Sequence, residues 1–178
     1  MRGLSFFVAT AAILVCSAFT VFTVANNYQV AEGYSIKFVN PEATGTFSKL
    51  TGSVAFDESN VSNSSFNMSV EVASINTGNG MKNKHAKGDK WFDAKQFPNI
   101  TFVSSKFAKN GSTYEVTGTL NIHGIAKEVT IPFTFENNTF SGKFSVNRLD
   151  YKVGNMEGMS KKVPDAISLE IVVPVTKK

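Results

Sequence analysis

The sequence predicts an all-β fold, an extended antiparallel barrel of about eight strands, and three observations lead to this prediction. The composition is dominated by Val, Phe, Thr, Ser, Asn and Gly, and such a composition favours strands over helices. From Tyr34 onward, apolar residues recur at every second position, the period of a strand with one buried and one wet face. Turn signals separate these stretches, and closing such a sheet into a barrel removes its exposed edges. A two-sheet sandwich has the same alternation and stays open as the alternative.

Length, charge and cysteine content narrow the class of protein. The 178 residues fit a single domain. The net charge is +4, from 18 Lys and Arg against 14 Asp and Glu, and the basic residues are scattered, so no nucleic-acid partner is expected. A single Cys excludes a disulfide framework and a Cys-based metal site. The composition also excludes collagen, a coiled coil and a polytopic membrane protein.

Residues 1–25 have the pattern of a secretory signal peptide. One Arg precedes the uncharged apolar run 4–24, and Ala25 supplies the small residue at which cleavage is expected. An uncleaved membrane anchor is the alternative, because about 20 apolar residues can span a bilayer. Cys16 follows a β-branched residue where a lipidation site needs a small one, so we do not expect lipidation. Cleavage leaves a domain of residues 26–178 without cysteine, which fits an oxidising compartment.

The eight predicted strands fill most of this domain. Pro132 and Pro174 fall on the polar phase of their strands. Because proline has no N–H to donate, this phase suits outward or edge positions better than a central ladder. One strand, 101–107, carries apolar residues on both faces, so its inward phase is left undecided. The predicted strands cover residues 34–38, 50–56, 66–72, 101–107, 114–122, 129–135, 140–146 and 167–175.

Three dipeptides mark turns between the later strands. Asn110-Gly111 predicts a hairpin with a type I′ turn, because both residues tolerate a positive φ. His123-Gly124 and Asn137-Asn138 predict the next two turns. The four predicted strands from 101–107 to 140–146 are therefore expected to be joined by hairpins.

Residues 76–93 interrupt the alternation. The segment is polar and rich in Lys and Gly, and we expect a loop with a short helix over residues 81–86, lying across one end of the barrel. Trp91 and Phe92 follow the helix. They are interpreted as a plug that closes the barrel end or as a gate over its mouth, and the two roles are compatible.

Four stretches carry motifs that occur together in one known family. They are residues 77–79 (TGN) leading to His85, residues 91–102 (WFDAKQFPNITF), residues 114–130 (YEVTGTLNIHGIAKEVT) and residues 146–151 (VNRLDY). In this order they resemble the YceI-like family of bacterial lipid- and polyisoprenoid-binding proteins. The similarity runs from Tyr28 to Val175, and the second and third stretches are the specific ones.

The resemblance implies a lipocalin-like barrel that holds a long isoprenoid or fatty chain, usually in the periplasm. The chain departs from the family at two places. It has Asn83-Lys84-His85-Ala86 where the family tends to have Asp-x-His-Leu, and Leu149-Asp150-Tyr151-Lys152 where the family tends to have Ser-Asp-Phe-Gly. Both departures lie near the expected mouth, so they bear on the head group of the ligand rather than on the fold.

The inward-facing residues of the predicted strands define a candidate lumen. From the residues alone, a barrel filled by its own side chains explains them equally well, and the resemblance favours a ligand cavity. Twelve of the 16 Phe lie outside residues 1–25, and we interpret their excess as the lining of this lumen. With the Trp–Phe pair and one Arg, the candidate lipid-binding residues are Phe66, Met68, Val70, Trp91, Phe92, Leu120, Ile122, Ile131, Phe133, Phe144, Arg148, Leu169 and Ile171.

Arg148 and Asp150 continue the inward phase of the strand that holds Phe144. Because an unpaired charge inside an apolar barrel is costly, Arg148 is expected to be paired or near the mouth. A bridge to a carboxylate that closes the barrel is one reading of Arg148. A contact to a ligand phosphate or carboxylate is the other, since a guanidinium fork suits both.

No catalytic constellation is recognised in the sequence. His85 and His123 are the only histidines and are expected to be structural, and no metal site or cofactor is predicted. Of the polar residues, only Arg148, Asp150 and Tyr151 come near the lumen, so an enzyme is not expected.

These observations predict a periplasmic or secreted protein that holds a long apolar amphiphile without catalysis. The amphiphile would be a polyisoprenoid, an isoprenoid quinone or a fatty chain. A structural or stress-response barrel of the envelope, with a filled core and no lipid, is the alternative. The expected partner is a long-chain lipid, and a homodimer and a position close to a membrane are left open.

Overall fold

The computed structural model describes residues 25–42, 44–154 and 158–178, which form a closed antiparallel β-barrel. Except for Ala25, the predicted signal peptide lies outside these residues. The described strands are β1 Asn26–Val30, β2 Ser35–Val39, β3 Gly45–Phe47, β4 Leu50–Phe56, β5 Ser65–Glu71, β6 Ile75–Asn76, β7 Asn99–Asn110, β8 Thr113–Ile122, β9 Ile125–Glu136, β10 Thr139–Asn147 and β11 Ala166–Lys177. The described helices are α1 Gly80–Lys87 and the 3-10 turns Val61–Asn63, Val72–Ser74, Arg148–Tyr151 and Gly158–Lys162.

Eight strand positions close the ring, as the sequence predicts. Around the barrel the order is β1, β4, β5, β7, β8, β9, β10 and β11, and β11 pairs back with β1. β2 continues along β11 beyond β1, β3 pairs with β2, and β6 pairs with β3. Three of the eight strand positions are therefore each occupied by two consecutive strands with a break between them. These are β1 with β2, β3 with β4, and β5 with β6. The barrel is confirmed and the sandwich alternative is wrong.

The predicted turns lie where the hairpins form, with one correction. His123 and Gly124 have φ of +54° and +74° between β8 and β9, and Asn137 and Asn138 have +50° and +56° between β9 and β10, as type I′ turns require. The β7–β8 turn is centred one residue later than predicted, because Asn110 still pairs with Thr113. There only the first central residue, a Gly with φ of +60°, is left-handed, so this turn is not type I′.

A β-bulge explains why β7 could not be phased from the sequence. The register with β8 shifts between Ser104 and Lys106, so one extra residue lies between them. Ile100 and Phe102 face inward before the bulge, and Phe107 faces inward after it. The inward phase changes from even to odd numbers within a single strand.

Pro132 ends the ladder between β9 and β10. Their pairing covers only residues 133–136 with 139–142, although β9 continues along β8 and β10 continues along β11. Proline has no N–H to donate, so the two strands separate beyond it. Tyr151 and Val153 belong to a buried cluster that also includes Val129 of β9 and Phe144 of β10.

The two ends of the barrel are built differently. The closed end carries the short connections 57–64, 110–113 and 136–139, and aromatic rings fill the barrel behind them. The open end carries the long segments 72–98, 147–154 and 158–166. The first of these contains α1, which confirms the predicted helix to within one residue at each end. None of the helices in the described part of the chain is long and apolar enough to cross a membrane.

Candidate functional site

A cavity of about 590 Å³ occupies the half of the barrel next to the open end. All eight strand positions contribute apolar side chains to its wall. Met68, Val70, Phe102 and Leu169 are only half-buried although they point inward, because they face the cavity rather than other side chains. A pocket of this size and polarity is typical of sites that take a small apolar molecule.

The thirteen residues predicted from the sequence all lie in the cavity wall. Their contact with a lipid stays a prediction. They are Phe66, Met68, Val70, Trp91, Phe92, Leu120, Ile122, Ile131, Phe133, Phe144, Arg148, Leu169 and Ile171.

Other apolar residues of the wall were missed for identifiable reasons. Ile100 and Phe102 lie before the bulge of β7, which hid their phase. Phe47 and Ile75 lie in strands of three and two residues, too short to show a period. Several other wall residues also lie on the inward phase of their strands, and nothing in the sequence distinguishes them from the residues that were predicted. These are Ile36, Phe38, Leu50, Val54, Val116, Phe140, Val146, Ile167 and Val173.

The floor of the cavity is a cluster of aromatic rings. Phe56 is 1% exposed and its ring lies 5.2 to 5.8 Å from the rings of Tyr114, Phe133, Phe135 and Phe140, edge to face in each case. Each such pair stabilises by about 0.5–1.5 kcal/mol beyond burial alone. Part of the Phe excess therefore builds a solid floor rather than a lining, so the interpretation of all these rings as lumen lining is corrected. The filled-core alternative describes the closed end only.

Polar side chains are confined to the mouth. They include Asn40, Glu42, Thr77, Lys82 and His85. The helix α1 carries Lys82 and His85 on the side that faces the cavity.

Two asparagines hold α1 in place. The Asn79 side chain accepts hydrogen bonds from the N–H groups of Met81 and Lys82 and caps the helix. Asn83 Oδ1 accepts from the N–H and the hydroxyl of Thr77, both at 2.7 Å.

Trp91 and Phe92 are held in the wall at the open end. The N–H of Phe92 donates to the carbonyl oxygen of Ala86, and its ring packs edge to face on Phe47 at 6.1 Å. The Trp91 ring lies beneath the guanidinium of Arg148, 5.7 Å from ring centre to Cζ. Both residues face the cavity, which fits the plug and the gate equally.

Arg148 is buried at the open end and makes several hydrogen bonds there. It is 3% exposed, and its guanidinium donates to the carbonyl oxygens of Val153, Val163 and Pro164 at 2.9 to 3.2 Å. It also donates to Asp165 Oδ1 at 3.2 Å, which supplies the predicted carboxylate bridge. These bonds use its donors to tie both ends of segment 148–165 together, so the geometry favours the structural role over a ligand contact.

Close packing around Arg148 leaves no space beside Gly154. A Cβ at this position would lie 2.8 Å from Arg148 Nη1 and 2.9 Å from the ring of Trp91, and its φ is +72°. Glycine is therefore required here both by contact and by backbone conformation.

Asp150 does not point into the barrel, contrary to the prediction. The 3-10 turn Arg148–Tyr151 breaks the alternation of β10, so Asp150 faces outward and pairs with Lys127 at 3.5 Å. Tyr151 is buried instead, and its carbonyl oxygen accepts from His123 Nδ1 at 3.2 Å. Burial raises the pKa of the Tyr151 phenol, and the neighbouring Asp150 carboxylate raises it further.

Glu170 lies outside the cavity. On the outer wall, a hydrogen bond from Lys143 and the charges of Lys143 and Lys37 lower the pKa of the Glu170 carboxyl. Among the described residues, no group of three or more His, Cys, Asp or Glu could hold a metal ion.

Comparison with known proteins places the chain among barrels of one family. The model of the YceI-like domain matches residues 23–175. UPF0312 proteins of Photorhabdus laumondii and Yersinia pestis are each 33% identical over 87 residues, which are 49% of this chain and 45% of each relative. The chain therefore spans about half the length of the curated relatives it matches.

Solved structures share the fold. BcnA of Burkholderia cenocepacia is 35% identical with a TM-score of 0.74, covering 80% of this chain and 96% of its own. The YCEI protein of Campylobacter jejuni is 22% identical with a TM-score of 0.66, covering 96% and 99%. A polyisoprenoid-binding domain of Saccharophagus degradans is 13% identical with a TM-score of 0.63, covering 86% and 99%. The last two establish similarity of fold alone.

Proposed function

Because the chain belongs to the YceI-like family, we propose that it is a lipid carrier of the bacterial envelope, exported to the periplasm or secreted. The carrier holds one long apolar chain in its barrel and performs no chemistry on it. The observation that carries the proposal is the cavity itself, apolar along its walls, blocked at one end by aromatic rings and polar only at its mouth. This geometry suits an amphiphile whose tail enters first and whose head group stays at the mouth.

The cavity volume sets the size of the tail. At about 30 Å³ for a group the size of a water molecule or a methylene, 590 Å³ holds roughly twenty carbon atoms. Each methylene removed from water contributes about 0.8 kcal/mol, so affinity comes from area and needs no hydrogen bond. The Saccharophagus degradans domain of the same fold is a polyisoprenoid-binding domain, which makes isoprenoids a natural first probe.

A ligand-length series tests this function. Delipidated protein is titrated with prenols and with straight-chain alcohols of increasing length, and binding is followed by calorimetry and native mass spectrometry. We expect the dissociation constant to fall about fourfold per added methylene and to level off near twenty carbons, where the tail reaches the floor. Absence of uptake at every length would refute the carrier function.

A matched pair of variants locates the ligand. Leu169→Trp places a large ring in the cavity, whereas Val172→Trp makes the same change on the same strand at a position that is 40% exposed. We expect Leu169→Trp to shorten the preferred tail and to weaken binding of the longest tails about tenfold or more, since about two methylenes are displaced. Val172→Trp should bind like the parent, and equal weakening in both variants would place the ligand elsewhere.

A further inference from the structure

The open end of the barrel carries an excess of positive charge around the mouth. The segments built there, 77–98, 148–154 and 158–165, with Glu42 at the mouth and Glu157 between the last two segments in the sequence, contain nine Lys and Arg against six acidic residues, a net of +3 in a chain that carries +4. At the closed end, 57–64, 110–113 and 136–139 contain three acidic residues and no basic one, and two C-terminal lysines offset most of that charge. The charge of the protein is thus concentrated at one pole.

The lysines of this pole point into solvent. The helix α1 contains no acidic residue and buries none of its side chains. Lys84, Lys90 and Lys95 are exposed, and within the described ranges none of the three forms an ion pair. Their charge is therefore available to an external partner.

An apolar side chain projects from the same surface. Met81 is 70% exposed at the first turn of α1, more than Val103 or Val172, the other large apolar residues exposed in the described part of the chain. Its neighbour Lys82 lines the mouth and donates through Nζ to the carbonyl oxygen of Glu42 at 3.4 Å. One exposed apolar residue among lysines, beside the entrance to an apolar cavity, suits contact with an anionic lipid surface, where the lysine charges supply most of the attraction.

We propose that the open end docks onto an anionic lipid bilayer, with Met81 in the boundary between head groups and acyl chains and the surrounding lysines against the lipid phosphates. Docking in this orientation presents the mouth to the bilayer, so that an apolar tail exchanges between the two without crossing bulk water. The proposal rests on the charge and exposure of this pole, and it stands whether or not the cavity holds the lipid proposed above.

Vesicle binding tests the docking surface. The protein from Asn26 onward, which contains the whole barrel, is used so that the apolar run 4–24 does not itself bind lipid. We expect it to float with vesicles made of equal parts phosphatidylglycerol and phosphatidylcholine, to bind pure phosphatidylcholine weakly, and to be released when salt is raised from about 0.05 M to about 0.5 M. Circular dichroism confirms that each protein is folded.

Variants of equal net charge separate the location of charge from its amount. The mouth variant combines Lys84→Gln, Lys90→Gln and Lys95→Gln. The control variant combines Lys106→Gln, Lys177→Gln and Lys178→Gln, at positions that are exposed away from the mouth. A lysine near an anionic surface contributes a factor of about five, so the mouth variant should bind about a hundredfold more weakly.

The control variant should bind within a few-fold of the parent. In addition, Met81→Cys labelled with an environment-sensitive dye should shift to the blue on anionic vesicles. Equal losses in the two triple variants, a dye that stays in water, or no binding to anionic vesicles would each overturn the proposal. Tail binding measured on the same variants in solution reports separately on the carrier function.

Discussion

A pair of Phe→Ala substitutions distinguishes a barrel that is hollow in solution from one that collapses. Phe56 is fully buried in the floor against five rings, whereas Phe144 is half-buried and faces the cavity. The same atoms are removed in both variants. Only the surroundings differ, so the difference in stability measures the packing at each site.

The structure sets the size of each effect. Phe56→Ala loses the burial of the ring and leaves a hole between packed rings, which costs about 3–5 kcal/mol. For a domain of this size, this corresponds to roughly a 6–20 °C lower Tm. Phe144→Ala enlarges a cavity that already exists and leaves no new packed surface, so we expect a cost of about 1 kcal/mol, because only part of the ring leaves water on folding.

The measurement is urea unfolding of delipidated protein, since a bound ligand would stabilise the folded state and hide the difference. Tail binding is then measured on the same proteins, and Phe144→Ala should alter it while Phe56→Ala should retain the preferred tail length. If Phe144→Ala costs as much as Phe56→Ala without ligand, the upper half of the barrel is filled in solution, and the reasoning from the cavity is refuted.

Two further predictions concern the open end. Arg148→Met removes the donors that hold segment 148–165 and leaves Asp165 and the carbonyl oxygens without them, so the free energy of unfolding should fall by about 3–5 kcal/mol. Amide exchange should also quicken in that segment, and an unchanged urea midpoint would contradict this role. The pKa of Tyr151 is raised, so the stability that its neutral phenol contributes is complete below about pH 10 and is lost as pH rises through the raised value. Tyr151→Phe should remove that step from the stability profile, and a step of equal size in the variant would assign it to another group.

Much of the site could be predicted because the strand signal is local. The pleat places alternate side chains on opposite faces, so a run such as Phe66, Met68 and Val70 reveals its inward face without knowledge of its neighbours. Where the backbone leaves that period, the inward phase of β7 was left undecided and the inward orientation predicted for Asp150 was wrong. The bulge in β7 reversed the phase before Phe107, and the 3-10 turn after β10 directed Asp150 outward.

Alternation and turn chemistry along the chain predict the strands, the approximate hairpin positions and the inward faces of most strands, and the four motif stretches indicate the family. The closure of the sheet into a barrel, and which inward rings meet one another or face open space, depend on the tertiary structure. Phe56 and Phe144 have the same pattern in the sequence, yet one lies in the floor and the other in the cavity wall. The physical reason is that packing depends on the distance across the closed barrel, which strand interruptions, the bulge and Pro132 set together, and no local pattern encodes it.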